Sequence, residues 1–72
     1  MKQKIEDLLN LGLDLEQFYC VTLFYGIQLQ GYATNSLMND LGKLGYQFDF
    51  DKENNWFISK KENVKIILNL NN

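Results

Sequence analysis

Residues 46–70 read YQFDFDKENNWFISKKENVKIILNL, and the alternation of their apolar side chains decides the fold. Three runs with a period of two stand out: Tyr46, Phe48 and Phe50; then Trp56 and Ile58; then Val64, Ile66, Leu68 and Leu70. A period of two is what a strand with one buried face produces. The runs are separated by Asp51-Lys52-Glu53-Asn54-Asn55 and by the region of Glu62-Asn63, both rich in residues that tolerate turn geometry. The pattern predicts three antiparallel strands. A five-residue loop from Asp51 to Asn55 would pair Phe50 with Trp56 and Phe48 with Ile58, making the aromatic faces coincide. A four-residue loop would set Asp51 opposite Trp56 and bury carboxylates, so the first register is the expected one; a slip of one residue turns every side chain to the opposite face.

Toward the N-terminus, Thr34 or Asn35 can cap a helix whose Leu37, Leu41 and Leu44 form an apolar stripe and which Gly45 ends. Asn35, Ser36, Asn39, Asp40 and Lys43 are left for its wet face. Before it, Phe18 to Tyr32 is rich in aromatic and β-branched residues, and Ile27, Leu29 and Gly31 alternate with Gln28, Gln30 and Tyr32. This predicts a hairpin turning near Tyr25 and Gly26. The competing reading is a helix from Asp14 to Tyr25, with Asp14 as N-cap and Leu15, Phe18 and Thr22 on one face. Lys2 to Leu11 reads as a short helix, with Ile5, Leu8 and Leu9 spaced i, i+3, i+4 and Gly12 as its stop. Together these give an α+β fold in a single domain spanning residues 1–72. An antiparallel sheet of about five strands, in two hairpin or meander units, carries the Asn35 to Leu44 helix on one face, with the short N-terminal helix nearby.

Composition bounds what such a chain can do. Seventy-two residues suit one core, and chains this short bury only about 60 % of the surface exposed when unfolded. Stability is then marginal without a staple. Cys20 is the only cysteine and histidine is absent, which excludes an intrachain disulfide and a four-ligand zinc site; a partner chain is the staple that remains, so a homodimer is one expectation. Cys20 itself is expected to be a small buried hydrophobe. With 46 % hydrophobic residues, 14 % of the chain being aromatic, there is enough apolar material for a core. The absence of a long apolar run and of a charged, then apolar, N-terminal stretch gives the expectation of a cytoplasmic protein without membrane contact.

Seven lysines, no arginine and nine carboxylates give a net charge of −2. This weighs against nucleic acid, since phosphate binding needs clustered cations and base reading leans on the arginine fork. Enzymes are disfavoured as well. Triads built on histidine are impossible, no Gly-rich phosphate loop occurs, and no cofactor is implied. Asp49, Asp51 and Glu53 begin like a calcium loop, but Asn54 stands at the sixth position and Lys60 at the twelfth, where glycine and glutamate are needed. Their i, i+2, i+4 spacing places them on one side of an extended chain, as a solvated strand edge would.

Apolar residues out of phase with the core are the candidate contacts. If Trp56 and Ile58 point inward, Phe57 points outward; if Ile66 and Leu68 point inward, Ile67 points outward. Beside Asp49 and Asp51 they would form an apolar patch with an acidic border, suited to a protein partner. The plainer alternative is that the N-terminal helix covers this face, or that the two residues are ordinary surface β formers. Val64 to Leu70 is a second candidate, as a sheet edge open to another strand.

Two resemblances extend these readings. The segment Thr34 to Ser59, through Leu37, Leu41, Leu44, Gly45 and Tyr46 and then a strand, turn and strand ending at Phe57-Ile58, resembles the recognition helix and wing of winged-helix DNA-binding domains. That likeness implies a transcriptional regulator, which ranks second here because Lys43 is the helix's only cation and Asp49, Asp51 and Glu53 would repel phosphates. The run Gly26-Ile27-Gln28-Leu29-Gln30-Gly31, a helix, and then acidic and aromatic hairpins resemble the very small lysine-only proteins of phages and mobile elements, anti-CRISPR proteins among them. It implies a viral inhibitor in the host cytoplasm that occludes a host protein such as a CRISPR-associated nuclease without catalysis. Asp49, Asp51, Glu53, Phe57 and Ile67, with Tyr32, would contact the partner, a nucleic-acid-processing enzyme whose basic groove attracts the acids. A self-associating structural subunit is the third expectation.

Overall fold

In the computed structural model, residues 2–24 and 26–70 are described. The chain runs α1 (Lys2–Leu9), a 3-10 turn (Leu15–Gln17), β1 (Phe18–Thr22), β2 (Ile27–Tyr32), α2 (Asn35–Lys43), β3 (Asp49–Asp51), β4 (Trp56–Lys61) and β5 (Val64–Asn69). The strands form one sheet in the order β1-β2-β5-β4-β3. The expected α+β class and strand number are present, but the sheet is mixed: β2 and β5 are parallel, and the other neighbours antiparallel. Val64 to Leu70, expected at an edge, therefore supplies the central strand. The edges are β1 and β3.

The Phe18–Tyr32 hairpin is formed, and its ladder is bulged between Phe18 and Cys20; Tyr25, placed at its turn by the sequence pattern, lies outside the described residues. The competing helix starts but does not propagate. Asp14 accepts from the Glu16 N–H at 3.1 Å and caps only the 3-10 turn, after which the β-favouring run from Phe18 takes over. Gly31 sits opposite Phe18, where a Cβ would lie 3.2 Å from the phenylalanine ring and 3.0 Å from the Gln17 carbonyl oxygen. Glycine makes room for that ring.

Helix α2 begins with the Thr34 hydroxyl accepting from the Leu37 N–H at 3.2 Å. It ends in a Schellman motif: the Tyr46 N–H reaches the Leu41 carbonyl and the Gly45 N–H that of Gly42, both at 3.1 Å. Gly45, at φ 95°, takes the left-handed position this motif requires. Lys61 completes the terminus, its ammonium donating to the Leu44 carbonyl at 2.8 Å and lying 4.9 Å from the centre of the Tyr46 ring. Tyr46 is thereby drawn into the core instead of the strand expected from it, and β3 is correspondingly short. Burial, and secondarily the Glu62 carboxylate, push the Tyr46 hydroxyl pKa up.

One core lies on the helix side of the sheet. Leu8, Phe18, Ile27, Leu29, Leu37, Leu41, Tyr46, Val64, Ile66 and Leu68 make it, with Phe57 and Phe48 packed against its margin. Leu29, Leu41, Ile66 and Leu68 are fully buried, each stabilising the fold by roughly 1.5–3 kcal/mol relative to exposure. Helix α1 joins this cluster through Leu8 and stops two residues earlier than its periodicity suggested. Ile5 and Leu9 are exposed. Because α1 and α2 share one side, no helix among the described residues covers the other.

The β3–β4 register is the one judged unfavourable from sequence. Asp51 pairs with Trp56, Phe50 with Phe57 and Asp49 with Ile58. Phe57 consequently faces the helices, and Trp56 and Ile58 face away, reversing the expected assignment. The cause is visible at both ends of β4. A two-residue loop, Glu62-Asn63, places Lys61 opposite Val64, so Ser59 must oppose Ile66 and Phe57 must oppose Leu68, on the core side. At the other end Asp51 is not buried as an idle carboxylate but builds the turn. Its Oδ1 accepts from the backbone N–H groups of Glu53 and Asn54 at 3.0 and 3.3 Å, and its Oδ2 from the Asn54 side-chain amide at 2.8 Å. Asn55 at φ 58° closes the four-residue loop.

Candidate functional site

The helix-free face of the sheet is built from the out-of-phase residue of each strand. Along its middle row, Cys20, Gln30, Ile67, Ile58 and Asp49 follow one another across β1, β2, β5, β4 and β3. A second row holds Tyr32, Asn69, Trp56 and Asp51. A third holds Thr22, Gln28, Lys65 and Lys60. Tyr19, brought round by the bulge, packs its ring 5.0 Å from that of Tyr32. The face is thus an aliphatic and aromatic centre with acids at the β3 edge and lysines at one end.

Its parts differ in accessibility. Ile67 is only 4 % exposed although no helix among the described residues lies over it; Gln30 and Ile58 flank it on the neighbouring strands. Trp56 and Ile58 are half-buried, whereas Tyr19 and Tyr32 are 52 % and 43 % exposed. Cys20 is half-buried on this face, 3.8 Å from the Thr22 hydroxyl, and not the interior hydrophobe expected.

The electrostatics come from Asp51, Asp49, Lys60 and Lys65. Asp51 is held below the ordinary aspartate value of 3.8, first by the Asn54 side-chain amide and, against an opposing effect of desolvation that is second in size, by the backbone N–H groups of Asn54 and Glu53. The Trp56 indole N–H across the ladder lowers it slightly further, yet its approach falls outside hydrogen-bond geometry and leaves Nε1 buried without an acceptor. Lys60 and Lys65 are directly opposed. Like charges in that position destabilise a sheet, so this end of the face is kept positive at a cost to folding.

Of the residues expected to form a contact surface, the structure brings Asp49, Asp51, Ile67 and Tyr32 onto this face. Glu53 lies in the adjoining turn. Phe57 does not belong: it is on the core side, its ring 5.1 Å from Phe50. Sequence reasoning missed Trp56, Ile58 and Tyr19. The parity of the two-residue turn at Glu62-Asn63 would have found the first two; the bulge that turns Tyr19 has no sequence signal.

Among the described residues no group of three or more histidine, cysteine or carboxylate side chains could hold a metal ion, and no helix is long and apolar enough to cross a membrane. An apolar recess of about 290 Å³ lies on the helix side between Leu13, Phe18, Leu37, Leu41 and Leu44, with Asp14, Asp40 and Lys43 also lining it. Comparison with protein-family models, curated proteins and solved structures finds no match for this chain.

Proposed function

We propose that this protein is a non-catalytic protein-binding module that docks its partner on the helix-free face of the sheet. The observation that carries this reading is the grouping there of Trp56, Ile58, Tyr19 and Tyr32 around a hidden Ile67, between acids and lysines. Aromatic anchors within a charged rim are what protein interfaces favour, and rim charges set orientation and association rate more than affinity. Asp49, Asp51 and Glu53 at the β3 side suit a basic partner surface. Occlusion of a nuclease's nucleic-acid groove in a host cytoplasm, as the likeness to phage inhibitors implies, is the specific form of the proposal. The winged-helix alternative receives less support, since the β1–β2 hairpin and not a second helix precedes α2 and the wing strands belong to a five-stranded sheet.

The test is capture of a partner from bacterial lysate, followed by affinity measurement with variants. Ile58→Lys and Tyr32→Ala are expected to weaken binding at least tenfold, and Leu9→Ser on α1 to leave it unchanged. Equal binding by both face variants refutes the assignment. Tight, steeply salt-dependent binding to duplex DNA would instead favour the regulator.

A further inference from the structure

The two edges of the sheet are unlike. β3 closes one side with three residues, two of them acids, and short length and charge are both ways of protecting an edge. β1 closes the other with Phe18-Tyr19-Cys20-Val21-Thr22, five residues without a charge. Tyr19 and Val21 are 52 % and 40 % exposed. The bulge disturbs only the start of this strand and leaves Cys20 to Thr22 in regular pairing with β2. An uncharged edge that is apolar on its sides is a template for another strand.

We propose that a second copy of this chain occupies that edge, with β1 pairing antiparallel to β1 across a two-fold axis at Val21. Directly opposed residues share a face, so Val21 on the helix side would meet Val21 of the other copy, and Cys20 on the open side would meet Thr22. Parity is therefore satisfied at all three regular positions. Charge selects the direction. The nearest acids in the chain before β1 are Asp14 and Glu16, of which Glu16 lies within the 3-10 turn and Asp14 caps it. Antiparallel pairing sends the two acidic turns to opposite ends of the seam, whereas a parallel copy would set them side by side. Every copy also presents an identical uncharged partner, while the other peripheral strand carries Asp49 and Asp51.

The pairing joins two five-stranded sheets into one of ten strands and places both Tyr19–Tyr32 pairs beside the seam, doubling the open face. It stands whether or not that face takes a protein partner. Strand-to-strand contact over about five residues falls below the roughly 1,200 Å² of a standard interface, so association is expected to be weak and concentration-dependent.

Sedimentation equilibrium from about 1 µM to about 1 mM tests it, a range that brackets millimolar to micromolar affinity. Wild-type protein is expected to dimerise within that range, Val21→Lys and, as a second edge variant, Thr22→Lys to weaken dimerisation at least tenfold, and Leu9→Lys to leave it unchanged, with circular dichroism confirming that each variant is folded. With Cys20→Ser in place, Val21→Cys should form disulfide-linked dimers on mild oxidation and Leu9→Cys should not. A wild-type monomer throughout the range, association that survives both β1 lysines in folded protein, or cross-linking equal at both cysteine positions would each overturn the proposal.

Discussion

Gly26→Ala is the substitution to which this fold should be least tolerant for its size. Gly26 lies at φ 100°, where an L side chain is strained by about 1–2 kcal/mol. A Cβ there would come 2.6 Å from the Asn63 side-chain oxygen and 2.9 Å from the Asn63 carbonyl oxygen. The side chain can swing aside, but the carbonyl cannot, because it accepts the Ile27 N–H at 3.0 Å and so ties the start of β2 to the β4–β5 turn. Weakening that bond removes about another 1 kcal/mol. The expected total is about 2–4 kcal/mol, against a stability on the order of 4–11 kcal/mol for a chain of this length. Urea denaturation followed by the fluorescence of Trp56, the only tryptophan, reads it directly. Adding Asn63→Ala should recover only the smaller, side-chain part of the loss. A Gly26→Ala protein within about 0.5 kcal/mol of wild type would refute the reasoning, since ordinary surface changes fall in that range.

Three further outcomes are expected. Ser59 is 3 % exposed on the core side and its hydroxyl has no hydrogen-bond partner among the described residues; because an unpaired buried hydroxyl costs about 1–3 kcal/mol, Ser59→Ala should raise the denaturation midpoint, and a loss of stability would mean that the hydroxyl is satisfied. Glu62 sits at φ 54° in the two-residue turn, so Glu62→Gly should stabilise by about 0.5–1 kcal/mol in the same assay and move the Tyr46 pKa back toward its ordinary value, as spectrophotometric titration would show. The lowered pKa of Asp51 means that the ionised form is favoured by folding: its contribution is complete above the unfolded value near 3.8 and is lost as pH falls through the folded value below it. Acid titration by NMR should find Asp51 below the ordinary aspartate value, and Asp51→Ala should flatten the acid side of the stability profile below about pH 4.

Much of the architecture is legible in local pattern. The inward set Ile27, Leu29, Val64, Ile66 and Leu68 follows from alternation alone, and the limits of α2 follow from Thr34 and Gly45. The parallel pairing of β2 with β5 is not local: 31 residues, holding α2, β3 and β4, separate the end of β2 at Tyr32 from the start of β5 at Val64, and nothing in either strand marks the other as its partner. At the head of the pair Gly26 approaches Asn63 closely and the Ile27 N–H donates to the Asn63 carbonyl, a contact between two turns that exists only once both have formed.

The candidate surface turned on a single step of register, and the reason is instructive about acidic turns. Alternation argued that a strand ending Phe48, Asp49, Phe50, Asp51 should align its aromatic residues with Trp56. That treats Asp51 as a carboxylate to be kept from a buried face. In the folded chain Asp51 is the acceptor that organises its own loop, taking three hydrogen bonds from Glu53 and Asn54, and the face it occupies opposite Trp56 is the open one. Turn chemistry and the two-residue loop at Glu62-Asn63 act from opposite ends of β4 and require the same parity. Apolar alternation, by contrast, cannot rank the two faces of β4, because Trp56 and Ile58 are as apolar as Phe57. Where a strand is hydrophobic on both sides, the loops that bound it decide which side faces the core and which is left for a partner.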